Sequence, residues 1–160
     1  MEDRKAILVL ALGNEYLRDD GVGIFAGRVL QEKFGERVDV IEAPESGLGL
    51  LDHIVPYKRV LMLDAIQQGG VPGAIKVFSV DQLPAVESPS PHYIGVPMAI
   101  EIARRLGLDL PDELLILAME VEDPFAITEG LTELVARALP DYIEQASTIL
   151  EGWLTLPSAR

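Results

Sequence analysis

The apolar run at residues 6–12 leads without a break into Gly13-Asn14, and the chain then reads Asp19-Asp20-Gly21-Val22-Gly23. A continuous apolar run of this length, closed by glycine, predicts a strand buried on both faces. A tight turn and a helix follow it. Such a strand–turn–helix unit commonly cradles phosphate, because the free amides at a helix N-terminus attract anions. Here Asp19 and Asp20 stand where phosphate would sit and would repel it. The glycines also miss the G-x-G-x-x-G spacing that dinucleotide binding needs. Carboxylates beyond a strand end suit a cation better.

Two more continuous apolar runs, 60–63 and 114–118, predict further buried strands, and residues 38–41 add another. Residues 74–80 alternate apolar and polar, as an edge strand does. Between these strands lie helical periodicities. Val22, Phe25, Ala26, Val29 and Leu30 recur at helical spacing, with Arg28, Gln31, Glu32 and Lys33 on the other side. Asp20 suits that helix as an N-cap and Gly35 as a stop. A short helix is expected at 48–55, and another carries Met98, Ala99, Ile102, Ala103 and Leu106 up to Gly107. Residues 131–150 are helical, with Pro140 read as the first position of a new helix. Alternating strands and helices without repeat or linker predict one domain over 1–160. Its expected architecture is a three-layer α/β/α sandwich around a mostly parallel sheet of about five strands.

Composition removes several functions. The chain has no cysteine, which excludes a thiol nucleophile, an iron–sulfur cluster and a thiolate zinc site of its own. A formal charge of −13 argues against nucleic acid or an anionic membrane as partner. No apolar run approaches the roughly 20 residues of a membrane span. The start, Met1-Glu2-Asp3-Arg4-Lys5, has no small-residue cleavage site. A soluble cytoplasmic protein is expected. There is no G-x-S-x-G elbow and no H-E-x-x-H motif, and Ser46 has no evident histidine partner.

One constellation remains. Asp20 follows the first strand, and Asp64 ends the strand Arg59-Val60-Leu61-Met62-Leu63. Ligands of open α/β sheets bind beyond such strand ends. His92 closes the stiff segment Ser88-Pro89-Ser90-Pro91, whose prolines fix their own backbone and extend the residue before each. Two carboxylates and an imidazole suit divalent ions such as nickel, zinc or manganese, and leave coordination positions open. Each residue also has a plainer use. Asp20 suits a helix cap, Asp64 suits loop amides, and His92 suits an ordinary loop. His53, beside Asp52, reads as a surface or boundary residue.

Together these motifs resemble those of the hydrogenase-maturation endopeptidases. Gly13-Asn14 with Asp19-Asp20-Gly21-Val22-Gly23 is similar to that family's opening signature. Leu63-Asp64-Ala65 resembles its second acidic motif, and Ser90-Pro91-His92-Tyr93-Ile94-Gly95 its histidine motif. The stretch from Gly130-Leu131-Thr132 to Ala138-Leu139-Pro140 resembles its C-terminal segment. The resemblance implies that Asp20, Asp64 and His92 bind nickel, with zinc or cadmium able to stand in for it. The nickel is supplied by the substrate, the precursor of a nickel–iron hydrogenase large subunit. A short C-terminal extension is cut from that precursor once nickel is in place, just past a basic residue that follows its last metal-binding cysteine. Glu42 falls where the family commonly has an aspartate tied to cleavage. Ala11 replaces a common glycine, Glu15 an apolar residue, and the usual glycine and proline near Met119-Glu120-Val121-Glu122 are replaced. The general base is left between Asp19 and Glu42, and nickel either acts as a Lewis acid or only positions the tail. Two other classes fit the bare residues: a nickel sensor or carrier, and a different metal-dependent hydrolase.

Overall fold

The structure, a computed structural model, describes residues 5–44, 47–79 and 96–157. Its sheet comprises β1 (Lys5–Leu12), β2 (Asp39–Ala43), β3 (Tyr57–Ile66), β4 (Ile75–Ser79) and β5 (Glu113–Glu120). Four helices flank it: α1 (Val22–Phe34), the single turn α2 (Leu51–Ile54), α3 (Val96–Arg105) and α4 (Glu133–Thr155). Strand order is β2-β1-β3-β5-β4, with β4 antiparallel to β5 and the other neighbours parallel. This is the expected three-layer α/β fold.

Both sheet faces are covered, which is why the central strands read as unbroken apolar runs. Ile7, Val9, Leu61, Leu63, Leu117 and Met119 pack with α1 and α4. Leu8, Leu10, Val60, Met62, Ile116 and Ala118 pack on the other face with Leu50, Ile54 and Ile100. Along each strand, successive side chains enter opposite cores.

Several local expectations change. Asp20 does not cap α1: it lies in a turn of 3₁₀ helix, Arg18–Gly21, and Gly21 precedes the first α-helical residue. Pro140 begins no new helix, because α4 runs through it from Glu133 to Thr155. Proline removes one helical hydrogen bond there, but Val135 before it and Tyr142 after it are both anchored in the core. Val29 of α1 is exposed, while Ile24 and Gly27 turn inward. β3 runs past Asp64 to Ile66, and Glu42 lies within β2 rather than after it. The stiff segment Ser88-Pro89-Ser90-Pro91 lies outside the described residues, as does Ser46.

α1 approaches the sheet closely because of its glycines. A Cβ on Gly27 would meet the Ala11 Cβ at 2.9 Å, and one on Gly23 would meet the Leu63 carbonyl oxygen at 2.6 Å. The mouth of the helix therefore rests on the ends of β1 and β3.

Candidate active site

Chain order places β2 on one side of β1 and β3 on the other. The crevice at such a reversal, beyond the carboxyl ends of the strands, is where α/β sheets bind ligands. Ala11 pairs with Leu63, so the end of β1 is level with Asp64. Gly13 turns the chain there with φ 130°, and any Cβ on it would overlap the Asp20 carbonyl. The same turn brings the Asn14 amide to the Asp20 carboxylate, which accepts its hydrogen bond at 2.8 Å.

Asp20 lines a cleft of about 440 Å³ with Gly13, Pro44, Ala65, Val121 and Phe125. Asp64 directly precedes Ala65, one of the residues that line this cleft. It is 0% exposed, and one of its oxygens accepts the Ala65 amide at 2.8 Å. From the opposite layer, the Tyr142 hydroxyl of α4 donates to the Leu117 carbonyl at 2.6 Å and lies 3.4 Å from the Asp64 carbonyl. Burial, reinforced by the charge of Asp64, raises this phenol well above its ordinary value. Asp20 and Asp64 thus both fall on the carboxyl-end side of the sheet, Asp20 in the turn after β1 and Asp64 two residues before the end of β3. His92 lies outside the described residues, among which no group of three histidine, cysteine or acidic side chains could hold a metal ion.

Glu42 borders an adjoining pocket lined by Glu15, Tyr16 and Ile24, which shares Gly13, Asn14 and Pro44 with the Asp20 cleft. Arg28 of α1 reaches both acids. It donates to Glu42 from Nε at 2.6 Å and from one terminal nitrogen at 3.1 Å. It also donates to Glu15 at 2.8 and 3.1 Å. This pairing holds the Glu15 carboxyl below, and the guanidinium far above, their ordinary values. Arg28 carries no local signal for this role, since its partners are distant along the chain.

Asp19 points away from the cleft. It is 0% exposed, and its two oxygens face the Glu122 and Asp123 amides at 3.1 and 2.9 Å and the Thr132 amide at 2.7 Å. The Thr132 hydroxyl stands 2.8 and 3.0 Å from them. Glu120 lies at the end of β5. It is buried, and one oxygen accepts the Gln68 and Gly70 amides at 2.6 and 3.1 Å. Those bonds fasten the loop that follows β3.

The fold is a three-layer α/β sandwich with an acid-bearing crevice beyond the strand ends. A hydrogenase maturating endopeptidase of Escherichia coli superposes with a TM-score of 0.79 at 24% identity, covering 92% of this chain and 93% of that one. A [NiFe] hydrogenase maturation protease of Thermococcus kodakarensis superposes at 0.70 with 26% identity, covering 91% of this chain and 99% of that one. A putative hydrogenase maturation protease of Methanocaldococcus jannaschii is 30% identical over 149 residues, 88% of this chain and 94% of the relative. The family model for hydrogenase maturation proteases matches residues 26–149. The chain belongs to the hydrogenase maturation protease family.

Proposed function

We propose that this chain is a nickel-responsive endopeptidase that removes the C-terminal extension of a nickel–iron hydrogenase large-subunit precursor after metal insertion. The observation that carries this reading is the placement of Asp20 and Asp64 at the reversal point of the sheet, beside an open cleft, in a member of this family. Two carboxylate groups and the His92 imidazole form a donor set that accepts nickel, zinc or cadmium without strong preference. The chain has no cysteine, so the thiolate ligands of nickel belong to the precursor. Nickel arrives as part of the substrate. An open and weak site makes its presence a condition for productive binding.

Nickel supplies positioning of the tail, and Lewis acidity if the scissile carbonyl reaches it. Glu42 is the base in this reading. It is part exposed, in a pocket that adjoins the Asp20 cleft, and Arg28 fixes the direction of its carboxylate. None of the described helices is long and apolar enough to cross a membrane.

The test is processing of purified precursor, with and without nickel, followed on a gel. Cleavage of the loaded form alone is expected. Equal cleavage of both forms would remove the nickel requirement. Tight nickel binding by the chain alone, without cleavage of either form, would favour a carrier.

A further inference from the structure

Asp19 joins three parts of the chain that are remote in sequence. Its carboxylate faces the Glu122 and Asp123 amides just beyond β5, and the amide and hydroxyl of Thr132 just before α4. Its own amide donates back to the Asp123 carbonyl at 2.9 Å. One residue earlier, the Arg18 amide donates to the Thr128 carbonyl at 3.0 Å, and Leu17 forms a parallel bridge with Thr128. Arg18 itself sits at φ 45°, a conformation that non-glycine residues hold only when their surroundings enforce it. The loop between β5 and α4 is therefore fixed against the segment that delivers Asp20. That loop supplies Val121, Pro124 and Phe125 to the cleft. Phe125 and Ile127 are 72% and 88% exposed, so little apolar packing secures them. Asp123 steadies the turn from within by accepting the Phe125 and Ala126 amides at 2.9 and 3.0 Å.

We infer that Asp19 is a positioning residue that clasps the loop between β5 and α4 and so sets one wall of the substrate cleft that Asp20 also lines, and that it transfers no proton. The geometry separates the two roles. A general base must reach the reacting water or its proton, and Asp19 has neither exposed surface nor an oxygen free of donors. A clasp needs the arrangement seen: an acceptor-only group facing donors from two ends of one loop. Adjacent aspartates then divide the work, with Asp20 lining the cleft and Asp19 holding the loop that forms one of its walls. This inference rests on the proposed peptidase reading for its kinetic consequence and is independent of it for its structural one.

Asp19→Asn keeps the shape but turns an N–H₂ group toward one set of donors. Amide hydrogen exchange at Glu122, Asp123 and Thr132 is expected to accelerate at least about tenfold. KM for nickel-loaded precursor should rise by a similar factor, with kcat within about threefold. Thr132→Val, which keeps the carboxylate and removes only the hydroxyl donor, should move both readouts in the same direction by less. If Asp19→Asn does not fold, Thr132→Val alone decides. A fall in kcat of about 10²–10⁴ with unchanged exchange and KM in Asp19→Asn would make Asp19 a base and overturn the inference. Unchanged exchange and KM in a folded Thr132→Val would overturn it as well. If neither the parent protein nor its variants cleave precursor, the peptidase reading fails and hydrogen exchange still judges the clasp.

Discussion

Arg28 grips Glu42 with two nitrogens on two oxygens, Nε at 2.6 Å and a terminal nitrogen at 3.1 Å. A paired contact of this kind fixes the plane of the carboxylate as well as its distance. Both side chains remain part exposed, so the pair adds little to stability, about 0–1 kcal/mol. Its consequence is orientation. Glu42→Gln should leave the melting temperature nearly unchanged and slow single-turnover cleavage of nickel-loaded precursor by about 10²–10⁴-fold. Capture of that precursor should persist. Cleavage at the full rate would leave Glu42 a structural partner of α1.

His92 is tested by removal. The segment Ser88-Pro89-Ser90-Pro91 before it contains no large apolar residue, so His92→Ala should melt within about 0.5 kcal/mol of the parent. Processing of nickel-loaded precursor should cease. A folded variant that still cleaves would take the imidazole out of the site.

Gly27 and Ala11 form a coupled pair. A Cβ on Gly27 would stand 2.9 Å from the Ala11 Cβ, and neither atom can rotate away. Gly27→Ala should gain some helix propensity and still lose about 1–2 kcal/mol from overpacking. Adding Ala11→Gly should restore part of that loss, so the double variant is more stable than the two single effects predict. Strict additivity in thermal or denaturant melts would show that α1 shifts freely.

Tyr142 makes stability fall in alkali. Its phenol is raised above the ordinary value of 10.0, first by burial and then by the charge of Asp64. A raised folded value means that the unfolded chain loses its proton first. The contribution is therefore complete below about pH 10 and declines above it, by up to about 1.4 kcal/mol per pH unit. Tyr142→Phe should flatten this decline, and should cost about 0.5–1.5 kcal/mol at neutral pH for the lost bond to the Leu117 carbonyl. Tyr57 and Lys5, also raised, leave a residual slope. Identical alkaline melts for parent and variant would contradict the shift.

The layers and the sheet were legible because buried parallel strands carry their signal in short local runs such as Val60-Leu61-Met62-Leu63. The strand ends were not. Tyr57 and Lys58 extend β3 backward and Glu120 extends β5 forward, since pairing with a neighbouring strand holds polar residues that periodicity leaves out. Asp20 and Asp64 could be picked out by position, Asp64 as an acid directly after an apolar run and Asp20 in the turn that follows one. The tasks of Asp19 and Arg28 could not, because each is set by partners on distant segments: Thr132 for Asp19, Glu15 and Glu42 for Arg28. Pro140 misled because a local rule about helix starts met a helix secured by the core on both sides of it.

Alternation along the strands has one more result. Val40, two residues before Glu42, packs with α1 and α4, whereas Met62, two residues before Asp64, packs on the opposite face. Glu42 and Asp64 accordingly leave the sheet in opposite directions, each with its own set of neighbours. A change of side-chain length at position 42 falls on Arg28 and, through it, on Glu15, away from the face that Asp64 enters. A substitution at either acid is therefore expected to leave the neighbours of the other in place.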